Sequence, residues 1–356
     1  MLEHVGDIKG FQDEFGTRPL DFSANIAPFG VPEPVRQAMV AALDDMVDYP
    51  DPLCRNLVAA LAAHEQLPES YILCGAGCSD LLFRLAAACK PQRVLLCAPG
   101  FTEYEHAFDT MQPAYEYYEL TPEQGFSVAE DILERIQPGL DAVVLCQPNN
   151  PTGVSIPRAL LQQVLERCAV TGTLLIMDEC FIGFMDDADQ LTLVPLLAEN
   201  PQLVVLKAFT KIYGIPGMRL GYALCSDAAL IERLRQAGQP WAVSTLAQAA
   251  GRAALTCDDY VDAVRTTVSA ERTFLRNAFA TRGIDVTGSA NFLFFHLDNS
   301  ESFIAAMRAQ GVLVRDCSNY RNLALGWYRV AVRTHEENLR LLAALDAVLP
   351  QLTKEA

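Results

Sequence analysis

Between about residues 70 and 225 short apolar runs alternate with amphipathic stretches, and this rhythm, more than any other feature, limits the folds open to the chain. Runs at 71–74, 93–97, 141–146, 173–178, 203–207 and 219–224 have the length of strands buried on both faces. The stretches between them, such as 79–89 and 157–170, have helical length and spacing, opened by Ser79-Asp80 and Pro157 as start signals. Strand–helix alternation of this kind builds an α/β layer, a mostly parallel sheet flanked by helices. Beyond Pro240 the pattern changes. An alanine-rich stretch at 242–256 and about 30 residues after it read as helical, followed by strands near 292–296, 312–315 and 327–332 and a last helix from His335. The expected organisation is an N-terminal arm over 1–35, rich in Pro19, Pro28, Gly30, Pro32 and Pro34, and packed on the smaller domain. A large domain over 36–238 and a small α+β domain over 239–356 complete it.

Composition narrows the partners. With 356 residues, 51% of them hydrophobic, the chain can bury a sizeable core. No window reaches the roughly 18 uninterrupted apolar residues of a membrane span, and the N-terminus has neither a basic nor an apolar leader segment, so a cytoplasmic location is expected. A formal net charge of −17 argues against nucleic acid and anionic membranes as partners. An anionic small molecule can still be held by a few local arginines, and Arg219, Arg315, Arg329 and Arg333 are the candidates. The 11 cysteines lie mostly inside apolar runs and read as small core residues. Cys74 and Cys78 form the one close pair, without a second pair or histidine cluster at ligand spacing, so no metal is expected.

Lys211 carries the chemistry. It stands in a Gly/Pro-rich loop with Arg219 eight positions on, an arrangement suited to an amine that condenses with the aldehyde of pyridoxal phosphate, beside a guanidinium for the phosphate. That cofactor asks a protein for an amine, a carboxylate at the ring nitrogen, a phosphate cradle and a flat face against the ring. Asp178 ends an apolar strand at the carboxyl edge of the sheet, where open α/β sheets bind ligands. Gly75-Ala76-Gly77-Cys78 joins a strand to a helix and offers backbone N–H groups to a phosphate, with Thr210 and Arg219 completing the cradle. The turn lacks the third glycine of a dinucleotide fingerprint and the Gly-Lys-Ser/Thr of a P-loop. Asn150, in Pro148-Asn149-Asn150-Pro151-Thr152-Gly153, can donate to the ring oxygen, and Phe101 can lie against the ring. Taken singly, Asp178 also fits a helix cap, Asn150 an ordinary turn and Phe101 a core aromatic.

In this order the motifs resemble the class I/II aminotransferase superfamily of fold-type I pyridoxal-phosphate enzymes, over nearly the whole chain. Tyr49-Pro50-Asp51-Pro52, Asn149-Asn150-Pro151-Thr152-Gly153, Asp178-Glu179 and Thr210-Lys211 are similar to histidinol-phosphate aminotransferases. Leu20-Asp21-Phe22-Ser23-Ala24-Asn25-Ile26, Pro99-Gly100-Phe101-Thr102-Glu103-Tyr104, Ile215 to Tyr222, Gln239-Pro240-Trp241-Ala242-Val243 and Val314 to Tyr320 resemble the L-threonine O-3-phosphate decarboxylases of cobalamin biosynthesis more closely. The resemblance implies Lys211 as the covalent anchor and Asp178 at the ring nitrogen. It implies Asn150 at the ring oxygen, Phe101 stacked on the ring, and Gly75, Ala76, Gly77, Cys78, Thr210 and Arg219 around the phosphate. It also implies a homodimer in which Tyr49 reaches the cofactor phosphate of the neighbouring subunit. Arg329 is then the grip on the substrate carboxylate, with His4, Asn25 and Arg315 facing the substrate, and His4 and Arg315 at its phosphate.

Four departures bear on the substrate. Phe181 stands where many aminotransferases have tyrosine, Ala208 replaces a hydroxyl residue, Ser244 stands for an asparagine, and His4-Val5-Gly6-Asp7 partly matches a His-Gly-Gly-Asn opening. The resemblance implies decarboxylation of O-phospho-L-threonine to aminopropanol phosphate, or else transamination of a phosphorylated amine such as histidinol phosphate with glutamate as donor. Which bond breaks depends on how the substrate carboxylate is held, and residue types alone leave that open. A pyridoxal-phosphate-binding module without catalysis is the rival from another class, and the chain begins with no helix-turn-helix.

Overall fold

A computed structural model describes residues 7–352. Seven strands form the central sheet in the order Ile72–Gly75, Gly221–Leu224, Leu203–Ala208, Leu174–Asp178, Ala142–Cys146, Arg93–Ala98 and Ala114–Glu119. All run the same way except Gly221–Leu224, which is antiparallel to both its neighbours. The expected strands are present within one or two residues. The edge strand Ala114–Glu119 was not anticipated, because its Tyr and Glu side chains are mostly half-exposed and break the apolar run.

Period-two alternation divides the strands between two cores. Leu73, Val94, Leu96, Val144, Ile176, Val204, Leu206 and Ala223 pack on one face with Leu81, Leu82 and Leu85 of the helix Cys78–Cys89 and Leu230, Ile231 and Leu234 of the helix Ala228–Ala237. Leu95, Val143, Leu145, Leu175, Met177, Leu203, Val205 and Leu224 face the other way, toward Leu161, Val164 and Leu165 of the helix Arg158–Thr171. Both faces are covered, so these strands are continuously apolar rather than alternating.

The C-terminal region carries an antiparallel sheet in the order Arg315–Asp316, Trp327–Ala331, Phe292–His296 and Val286–Thr287. The strand expected at 312–315 is two strands. Val312–Leu313 pairs in parallel with Leu20–Asp21 of the N-terminal segment, and Arg315–Asp316 joins the antiparallel sheet. Val314 is the crossover, and it delivers Arg315 opposite Arg329. The N-terminal segment contains a helix, Ile8–Phe15, before this pairing. Phe22 locks it in place, donating its N–H to Leu313 O at 2.9 Å and accepting from Ala331 N at 2.8 Å, with its ring fully buried.

Truncation of Phe22 to alanine leaves a cavity at this junction. Phe22→Ala is expected to lower unfolding free energy by about 3–5 kcal/mol, the usual cost of deleting a buried phenyl group, read as a lower urea midpoint at unchanged slope. An unshifted midpoint would show that the segment is not part of the cooperative fold.

Candidate active site

The sheet register assembles the site. Gly221 is the cross-strand partner of both Gly75 and Ala208, so the three share one row at the carboxyl edge. Two residues beyond that row on each strand stand Gly77, Arg219 and Thr210. Gly77 has φ +90°, and a Cβ built on it would lie 2.8 Å from Arg219 Nη2, so the guanidinium sits directly over the glycine turn. Arg219 makes no ion pair with the described residues, and its side chain donates from Nη1 to Pro216 O at 3.4 Å. Thr210 is buried beside it. Two N–H groups of the turn are already engaged. Ala76 N donates to Asp80 Oδ2 at 2.9 Å and Gly77 N to Gly75 O at 2.7 Å, which leaves the N–H of Cys78 at the start of the helix as the donor of this turn with no such bond.

Asp178 closes the neighbouring strand and is buried. Its Oδ1 accepts the Cys180 N–H at 2.9 Å and its Oδ2 accepts the Tyr104 hydroxyl at 2.7 Å. Burial, reinforced by the Asp178 charge, pushes the Tyr104 phenol well above its usual pKa, so it remains a donor. Tyr104 stood in a quoted motif, and the sequence assigned it no role. Phe101 stands edge-on to it, ring centroids 5.6 Å apart.

Lys211 lies on the one-turn helix Phe209–Ile212, its Nζ 5.8 Å from the centre of the Phe181 ring. No carboxylate among the described residues pairs with it. Burial lowers its pKa below the ordinary 10.5, and Arg329 and Arg219 lower it further while Cys180 opposes them. A neutral amine is the nucleophilic form, so these surroundings favour attack on an aldehyde. The Lys211 carbonyl accepts the Ala27 N–H at 3.0 Å, which fixes the N-terminal segment against the lysine loop.

Opposite lies a group of buried cations with neutral partners. Arg329 donates Nη1 to Asn150 Oδ1 and Nη2 to Ser23 O, the latter at 3.1 Å, and its Nε is buried with no partner. Tyr320 also reaches Asn150 Oδ1, at 3.5 Å. With that oxygen engaged, the Asn150 amide nitrogen is the end left to donate into the site. Arg315 is the direct cross-strand partner of Arg329; it donates Nη2 to Asn319 Oδ1 at 2.8 Å, and its Cζ lies 5.1 Å from the Tyr320 ring centre. Its Nε too is buried without a partner, as are both amide atoms of Asn25. Ser23 and Tyr320 lay in quoted motifs, but nothing local marked them as the groups that orient Arg329 and Asn150.

One expected residue stands apart from this assembly. Tyr49 is 81% exposed and its ring lies against Trp241, centroids 4.9 Å apart. His4 lies outside the described residues.

The sequence profile described as aminotransferase class I and II matches residues 17–345. The chain belongs to that family. It is 38% identical over 352 residues to the threonine-phosphate decarboxylase of Salmonella typhimurium, covering 97% of this chain and 96% of that one. It is 31% identical to histidinol-phosphate aminotransferase 2 of Ralstonia nicotianae, covering 95% and 91%. The fold matches the histidinol-phosphate aminotransferase of Sinorhizobium meliloti, solved with pyridoxal 5′-phosphate, at TM-score 0.84 and 22% identity, over 98% of this chain and 95% of that one. Members of this family are pyridoxal-phosphate enzymes, and the residues here fit that group. The fit rests on an arginine without an acid above a glycine turn, a buried carboxylate at the sheet edge and a lysine without a counterion.

Gly77→Ala places a methyl group where the Arg219 guanidinium sits and forces a left-handed alanine. The strain, about 1–3 kcal/mol, is expected to weaken pyridoxal-phosphate binding by about tenfold or more, measured by absorbance titration, with the fold retained. Lys211 gives a pH signature in the cofactor-free protein. Its folded pKa is depressed, so burial of the ammonium costs stability below that pKa, and the cost fades as pH rises toward 10.5. Lys211→Met is therefore expected to raise Tm at neutral pH, by an amount that shrinks as the buffer becomes alkaline. A gain independent of pH would contradict this assignment.

Proposed function

We propose that the chain decarboxylates a phosphorylated α-amino acid, O-phospho-L-threonine, to aminopropanol phosphate. The observation that carries this reading is the pair Arg315 and Arg329, 7% and 4% exposed, directly opposite one another on adjacent strands, with no carboxylate on either among the described residues. Like charges at such a position repel, and burying them unpaired costs several kcal/mol per ion. A substrate with two anionic ends, a carboxylate and a phosphate, would neutralise both. The 38% identity to the Salmonella decarboxylase supports the same choice.

In this reading Arg329 binds the carboxylate through its open Nε edge, while Asn150 and Ser23 keep the guanidinium from following the ligand. Arg315 binds the phosphate, with its fork stiffened by Asn319 and Tyr320. The two anchors together set the rotation about the substrate Cα, and that rotation decides whether the carboxylate or the α-proton departs. Asn25, with both amide atoms unpartnered, faces the same ligand. Bound pyridoxal phosphate supplies an aldehyde for the substrate amine and an electron-accepting ring, held by Lys211, Asp178, Asn150, Phe101, Gly75, Ala76, Gly77, Cys78, Thr210 and Arg219. Lys211, its pKa lowered by burial, would move a proton at the substrate carbon.

The second reading, transamination of histidinol phosphate, is supported by the Ralstonia relative. It leaves one of the two arginines without an anion in the amine half-reaction, which is why it ranks below the first. We further propose a homodimer. Val40, Leu43, Met46, Val47, Tyr49 and Trp241 are all exposed, and Tyr49 would meet a neighbouring subunit's cofactor from this surface.

Purified protein with pyridoxal phosphate and O-phosphothreonine alone is expected to release CO2. Histidinol phosphate with 2-oxoglutarate is expected to give no glutamate, and the reverse outcome would select the aminotransferase. Arg315→Ala should raise KM for O-phosphothreonine roughly 10- to 100-fold, the loss of a charge-assisted contact worth about 1.5–3 kcal/mol. An unchanged KM would remove Arg315 from the phosphate.

A further inference from the structure

All 11 cysteines are free, and only four of them, Cys78, Cys89, Cys97 and Cys180, are partly exposed. Two of those four meet. Cys180 Sγ lies 3.3 Å from Cys78 Sγ, although 102 positions separate them in sequence, and Cys78 Sγ in turn donates to Lys207 O at 3.2 Å. Thiols this close need little movement to join, because a disulfide bond spans about 2.0 Å. Their place is as informative as their distance. Cys78 begins the helix that follows the glycine turn, and the Cys180 N–H holds Asp178 Oδ1. The pair therefore bridges the phosphate cradle and the ring-nitrogen carboxylate, and both sulfurs are close enough to influence the charge on Lys211.

We propose that Cys78 and Cys180 form an oxidisable dithiol whose closure to a disulfide disables cofactor binding. The oxidant is a peroxide. The two thiols give up two protons and two electrons, the S–S bond forms, and the O–O bond of hydrogen peroxide breaks to yield two waters. Contraction falls unequally on the two sides. Cys78 is confined, since a Cβ built on Gly221 would lie 2.9 Å from both its N and its Sγ, so the backbone behind it has no slack. The movement is thus taken up at Cys180, and it carries with it the N–H that orients Asp178. Loss of cofactor, with the rest of the fold kept, is the consequence.

The consequence for binding rests on the reading of this site as the cofactor pocket; the cross-link itself does not. Holoenzyme is treated with hydrogen peroxide, free thiols are alkylated, and the digest is analysed without reduction by mass spectrometry. A Cys78–Cys180 cross-linked peptide is expected, together with loss of bound-cofactor absorbance and of at least nine-tenths of activity, both restored by dithiothreitol. Cys180→Ala, scored against its own untreated activity and absorbance, should keep most of both under the same treatment. Independent alkylation of the two cysteines after peroxide treatment would overturn the dithiol. A cross-link that forms while absorbance and activity persist would overturn its effect on the cofactor, whereas untreated protein that gains no bound-cofactor absorbance would overturn the reading of the pocket.

Discussion

The Arg329 guanidinium connects three parts of the chain that share no sequence neighbourhood. It rises from the antiparallel sheet, donates to Asn150 at the carboxyl edge of the large sheet and donates to Ser23 on the N-terminal segment. Its two protein acceptors are neutral, so the fold uses its hydrogen bonds and leaves its charge unmatched. A buried cation held in this way is stable only because its geometry is fixed from several sides, and its charge remains available to a ligand. The same hydrogen bond settles which end of the Asn150 amide faces the site, so one contact orients both a cation and a donor.

The unmatched charge is local and runs against the whole. The chain carries a formal net charge of −17, whereas the cleft gathers Lys211, Arg219, Arg315 and Arg329 near the buried carboxylate of Asp178. Clefts of one sign within low-dielectric walls concentrate the field on whatever enters, and an acidic exterior does not cancel a locally basic cleft. Two of these cations, Arg329 and Arg219, act on Lys211, where they add to burial in lowering the pKa of the amine.

The sequence carried the large sheet, and brought Gly77, Asp178 and Lys211 to one edge of it, because both depend on local pattern. Apolar runs mark strands buried on both faces, and Gly77, Asp178 and Lys211 each follow such a run at the edge where ligands bind. What stayed hidden depends on pairing between distant segments. Ala114–Glu119 is an edge strand whose half-exposed tyrosines and glutamates imitate a surface loop. Val314 reads as the middle of one strand, yet it separates two strands in different sheets, and only that switch sets Arg315 opposite Arg329. Tyr104 and Ser23 act through one oxygen each, a hydroxyl and a backbone carbonyl, and no residue-type pattern announces such roles. The contact of Cys78 with Cys180 belongs to the same class, since both residues lie at the ends of well-marked strands while their proximity follows from strand order.

Strand order also explains why the arm matters to chemistry carried by Lys211. The Ala27 N–H bonds to the Lys211 carbonyl, and a Cβ on Gly214 would come within 2.6 Å of Gly30 O, so the arm and the lysine loop are packed backbone to backbone. Leu20–Asp21 meanwhile pairs with Val312–Leu313, immediately before the crossover that places Arg315. One short segment is therefore fastened at one end to the backbone of Lys211 and at the other to the strand that leads into Arg315. Displacing it moves both at once. The glycine turn, fixed by the register of Gly75, Gly221 and Ala208, lies apart from that segment. The turn thus depends on the sheet, whereas the placement of Lys211 and Arg315 depends also on the elements laid across it.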